Sequence, residues 1–126
     1  MLILAWSATT SPDLTNQQER IIAHSLSDQF KACMLADANS DRELACWQDE
    51  LSRQDKLLEK TFSSLLARSS RSRQAKLRSE QGDWVRHRDR VCKWSSEKAL
   101  GDNLVMCRLN ETILRTHDVL ELMHRR

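Results

Sequence analysis

The stretch SDRELACWQDELSRQDKLLEKTFSSLLA, residues 40–67, decides the fold class. Leu44, Trp47, Leu51, Leu58, Phe62 and Leu65 recur at intervals of three, four and seven, which places them on one stripe of a helix with 3.6 residues per turn. Ser40-x-x-Glu43 has the form of a capping box, and Asp37-Ala38-Asn39 before it favours a turn. Neither glycine nor proline interrupts the run. The expectation is one amphipathic helix of about seven turns, ended or bent by the polar run Ser69-Ser70-Arg71-Ser72.

Outward from this segment the same period continues. Upstream, Ile22, Leu26, Phe30 and Cys33 predict a helix from about Thr15 to Met34, opened by the capping box Thr15-x-x-Gln18. Downstream, Leu77, Trp84, Val91 and Ser95 share a seam with Gln81 and Arg88, which predicts a helix from about Arg73 to Lys98. Gly82 lies inside it at a cost of about 1 kcal/mol relative to Ala, and Gly101 reads as its stop. Asp102 would cap a last helix from about Asn103 to Met123, with Val105, Leu109, Ile113, Leu120 and Met123 on its buried side. With 2 Gly, 1 Pro and no Tyr in 126 residues, strand-forming sequence is scarce. The fold class is therefore all-α, a compact antiparallel bundle of about four helices.

The cysteines are Cys33, Cys46, Cys92 and Cys107, separated by 12, 45 and 14 residues. Without a Cys-x-x-Cys they do not read as a zinc ribbon or a redox motif. They could stand reduced in a core, or pair in any of three connectivities. The first two flank the first helix–helix turn and the last two flank the third, and antiparallel neighbours bring such positions close. That geometry favours Cys33–Cys46 and Cys92–Cys107, each closing a loop worth about 3 kcal/mol.

Formal charge is +2 but unevenly placed: residues 1–60 hold 10 acidic and 6 basic side chains, residues 61–126 hold 8 and 14. The basic excess between Arg68 and Lys93 reads as a solvated face or as a docking surface for an anion, nucleic acid included. Arg86, Arg88 and Arg90 alternate and so do not form one stripe. At the N-terminus, Leu2–Trp6 is apolar and Ala5-x-Ser7 suits a signal-peptidase site, so residues 1–11 read as the remnant of a signal peptide or a disordered tail, and 12–126 as one helical domain. His24, His87, His117 and His124 are scattered, and no His-Glu-x-x-His or glycine-rich phosphate loop occurs. The reading is a binding protein and not an enzyme, with no cofactor or metal. Trp47 and Trp84 lie on core seams; Trp94 falls off the seam beside basic residues and is a candidate interface residue.

The segment LRSEQGDWVRHRDRVC, residues 77–92, resembles the Leu-Arg-x-x-Gln-x-x-Trp-x-x-x-Arg-Asp-x-x-Cys signature of the LprI-type lysozyme inhibitor family of secreted bacterial proteins. Leu77, Arg78, Gln81, Trp84, Arg88, Asp89 and Cys92 match it. Cys107, Thr112 and Arg115 resemble its closing Cys-x4-Thr-x2-Arg, and Cys33, Cys46, Glu50, Leu51 and Asp55 its upstream part. Gly82, His87 and Phe62 depart from the basic, aromatic and Tyr residues common there, which marks a divergent member. The resemblance implies a helical, exported, disulfide-bonded protein that inhibits by protein–protein contact.

Three functions follow as expectations. The first is a periplasmic or secreted binding protein that covers the cleft of a lysozyme or another peptidoglycan hydrolase, using an acidic patch of Asp41, Glu43, Asp49, Glu50 and Glu59. The second keeps the fold as an immunity protein against a cell-wall-degrading toxin, or as an envelope assembly factor. The third is a basic helical nucleic-acid-binding protein. The signature residues are expected to build the fold, with Gln81 and Arg88 bonding to the long helix and Asp55 as an acceptor.

Overall fold

A computed structural model describes residues 14–36, 40–95 and 101–125. Among these residues it contains five helices and no strand: α1 (Asn16–Ser25), α2 (Asp28–Ala36), α3 (Ser40–Ala67), α4 (Arg71–Ser95) and α5 (Gly101–His124). The segment 1–11 lies outside the described residues, and no described helix is long and apolar enough to cross a membrane.

The capping box at Thr15 forms as its sequence requires. Thr15 Oγ1 accepts from the Gln18 amide at 3.1 Å, and Gln18 Oε1 accepts from the Thr15 amide at 2.9 Å. The expected single helix from Thr15 to Met34 is instead two. Leu26 is extended, with ψ 134°, and Ser27 recaps the chain by accepting the Phe30 amide on its hydroxyl at 3.1 Å. The break is held from outside by Glu50, whose carboxylate receives the Ser27 amide at 2.7 Å and the Ser27 hydroxyl at 2.6 Å. Periodicity continues through a kink when both halves face the same core, so it does not register this interruption.

The long helix α3 runs as expected to Ala67, about 42 Å at 1.5 Å per residue. Its inner stripe is Cys46, Glu50, Gln54, Leu58, Thr61 and Leu65, all buried. The turn to α4 is short. Ser70 Oγ accepts the Arg73 amide at 3.2 Å, and Gln74 Nε2 donates to the Leu66 and Ser69 carbonyls at 2.7 and 3.2 Å. Ser70 therefore opens α4 at Arg71, two residues before the expected start, and Gln74 satisfies carbonyls that the end of α3 leaves open. Gly101, read as a stop, is the first residue of α5; the Asp102 and Ser40 side chains lie outside the described residues.

Helix α5 is the centre of the bundle, packed most extensively against α3 and also against α4 and α1. Being covered on three sides, it buries Cys107, Leu109, Asn110, Thr112, Ile113, Thr116 and Val119. That arc is wider than one stripe and turns the core side to Val119, leaving Leu120 at 41% exposure where a single seam would bury it. One apolar cluster joins Leu58, Leu65, Leu77 and Val119, with Trp84 and Phe62 against it. A second joins Ile22, Leu109 and Ile113, flanked by Trp47 and Leu51. Disulfides close both ends as the loop geometry favoured: Cys33–Cys46 ties α2 to α3 and Cys92–Cys107 ties α4 to α5.

Candidate functional site

The signature residues, scattered over sixty positions, converge where α3, α4 and α5 meet. Arg88 is the hub. Its guanidinium lies 5.1 Å from the Trp84 ring centroid, donates to Thr112 Oγ1 at 3.4 Å and to Asp89 Oδ1 at 3.2 Å, and sits 3.6 Å from Asp55 Oδ1 on α3. Arg115 Nε donates to Gln81 Oε1 at 2.8 Å. The expected partner of Gln81 on the long helix is thus replaced by Arg115, because α4 packs against α5 at that level. Leu77 is buried at 3% exposure and Thr112 is fully buried. These side chains form a lattice of contacts across α3, α4 and α5, at whose edge Asp55 and Asp89 remain about half exposed.

Two carboxyls beside this lattice are perturbed. Burial pushes the Asp55 carboxyl up; Arg88 and Arg108 oppose that rise and Glu59 adds to it. Burial likewise raises Glu111, partly offset by His87 at 3.9 Å. No group of three or more His, Cys, Asp or Glu among the described residues is placed to hold a metal ion.

The acidic patch expected on α3 is dispersed. Asp41, Asp49 and Glu59 are exposed and Glu43 is half-buried, but Arg42, Lys56 and Lys60 are interleaved with them. Glu50 leaves the surface altogether: it is fully buried and accepts from Ser27, Arg53 (2.7 Å) and Gln54 (3.0 Å). A charge on the inner stripe of a helix looks the same in sequence as one on the outer. The Trp94 side chain lies outside the described residues.

A more concentrated acidic surface lies elsewhere. Glu80 and Asp83 of α4 face Asp118 and Glu121 of α5 across an open groove of about 500 Å³, with Leu122, Arg115 and Arg125 completing its lining. Because Arg115 is bonded to Gln81, the signature lattice fixes one wall of this groove. Each acidic pair is spaced three residues apart and legible in sequence, but nothing in the chain says that the two pairs meet.

A family model described as "Lysozyme inhibitor LprI" matches residues 33–119. The chain belongs to this family. The matched span holds all four cysteines and every residue of the lattice, and it leaves α1 outside. No curated protein and no solved structure matches the chain.

Proposed function

We propose that this protein is an exported, non-enzymatic inhibitor that binds a peptidoglycan-degrading enzyme and covers its cleft by steric contact. The observation that carries the reading is the match to an inhibitor family across the disulfide-stapled core. Two disulfides in so small a domain also suit an oxidising compartment outside the cytosol.

The groove between α4 and α5 supports a way of binding. Four carboxylates stand against two guanidiniums in its lining, and Arg86 pairs with Asp83 at its edge, which leaves the groove acidic by one charge; many lysozymes are strongly basic. Cationic side chains of the enzyme would enter between Glu80, Asp83, Asp118 and Glu121, while Leu122 supplies apolar contact. Such complementarity acts mainly on the association rate and on partner choice.

The test is cell-wall lysis by a panel of lysozymes at rising concentrations of the oxidised protein. Saturable inhibition is expected for at least one basic lysozyme. The double reversal Asp118→Lys/Glu121→Lys should weaken it about tenfold or more while leaving the helical circular dichroism unchanged. An intact, helical sample that inhibits no member of the panel would refute the lysozyme reading.

A further inference from the structure

The basic excess of the chain is resolved by the structure into an ordered ridge. Helix α4 carries eight Arg and Lys against three Asp and Glu. Its inner side is Leu77, Trp84, Arg88 and Cys92, packed into the bundle. At 100° per residue, Arg71, Arg78, Arg86 and Arg90 fall within an arc of about 120° on the opposite side, spread over about 29 Å of helix. All four are exposed. Alternation of Arg86, Arg88 and Arg90 therefore separates one inward arginine from two outward ones.

The charges on this ridge are available. Arg71, Arg78 and Arg90 form no ion pair among the described residues, and Arg86 pairs only with Asp83 at its flank. Asp89 lies on the same arc and its carboxylate is answered by Arg88 at 3.2 Å and Arg108 at 4.0 Å. Apart from Asp89, the residues between the arginines on this arc are Ser72, Ala75, Ser79 and Gly82, all small. At the edge of the arc Val85 is 37% exposed and offers an apolar contact. Base-stacking aromatics are lacking on this face among the described residues, since Trp84 lies on the inner side under Arg88.

We infer that the outer face of α4 docks on an anionic phospholipid surface. A convex ridge of arginines on one face of a helix presents several guanidiniums to a plane of phosphates, and guanidinium pairs with phosphate oxygens in bidentate fashion. The ridge borders the acidic groove at the Arg86–Asp83 pair, while Asp118 and Glu121 of the groove stand on α5, so a protein bound to a membrane through Arg71, Arg78 and Arg90 would leave the α5 wall of the groove open to another partner.

The experiment is co-sedimentation of the oxidised full chain with vesicles of phosphatidylcholine alone or mixed with phosphatidylglycerol, at low and high salt. Binding to the mixed vesicles alone, weakened by salt, is expected. Arg78→Glu/Arg90→Glu should lower partitioning about tenfold or more, with unchanged helicity and unchanged lysozyme inhibition. Asp118→Asn/Glu121→Gln, placed in the groove, should leave it intact. Equal binding to both vesicle types, no effect of the arginine reversals, or capture by duplex DNA without capture by vesicles would each overturn the inference.

Discussion

Replacing Glu50 by alanine should be among the most damaging single changes in this protein, although the residue is hidden from the surface. Its carboxylate is fully buried and accepts four hydrogen bonds, from the Ser27 amide and hydroxyl, Arg53 Nε and Gln54 Nε2, at 2.6 to 3.0 Å. Arg53 is partly exposed and can turn to water, and Gln54 keeps the Ser25 carbonyl at 2.8 Å. The uncompensated loss is therefore at Ser27, where an amide and a hydroxyl lose their acceptor and the α1–α2 break loses its anchor. Two bonds to a charged acceptor, plus the desolvation of what is left unpaired, come to about 3–4 kcal/mol. Glu50→Gln keeps one acceptor oxygen and the shape, and should cost about half as much. The assay is urea unfolding followed by far-ultraviolet circular dichroism, with the disulfides intact. Acidity adds a second readout. Burial by itself raises the Glu50 pKa, but the bonds from Ser27, Gln54 and Arg53 outweigh it and hold the carboxyl below its ordinary value of 4.5. A depressed carboxyl contributes stability that is complete above about pH 4.5 and disappears as pH falls through the lower folded value. The gap between wild type and Glu50→Gln should accordingly narrow below that pH. A Glu50→Ala protein within about 0.5 kcal/mol of wild type, or a gap constant with pH, would refute the argument.

Arg88→Ala should cost about 2–4 kcal/mol by removing the contacts with Thr112, Asp55 and Trp84, and any loss of inhibition should follow the unfolded fraction measured in the same buffer. Gly82→Ala should stabilise by about 1 kcal/mol in the same unfolding assay, because an added Cβ would meet only the exposed Arg86 guanidinium, at an ordinary contact distance of 3.7 Å. Glu111→Gln should narrow the fall in stability on going from mildly acidic to neutral pH, since a carboxyl raised by burial favours the folded state at low pH and loses that advantage as pH rises through its folded value; thermal melts across this range report the slope. Replacing Cys92 and Cys107 together by serine should lower stability by about 3 kcal/mol, read as a shift of the urea midpoint.

Much of the fold was legible because it rests on local rules. The stripe from Leu44 to Leu65 needs only the helical period, the Thr15 capping box needs only a spacing of three, and the favoured cysteine partners follow from their positions near the facing ends of consecutive expected helices. What the period could not show is which helix would sit in the middle. Once α5 is enclosed by α1, α3 and α4, burial spreads past one stripe to Asn110, Thr112 and Thr116, and Leu120 turns outward.

The candidate site divides along the same line. Sequence alone determined that the chain is helical and which signature residues belong together, and it favoured one of the three cysteine pairings, since each is a matter of neighbours in the chain or of a known spacing; the structure decided the pairing. Tertiary structure decided that Glu50 is an internal anchor and not a surface charge, that Glu80 and Asp83 meet Asp118 and Glu121, and that Arg88 points inward while Arg86 and Arg90 point out. The physical reason is that a carboxylate or guanidinium carries the same local propensity on either side of a helix. Only the packing of another helix against it decides whether its charge is answered by a buried donor, a facing groove or open solvent.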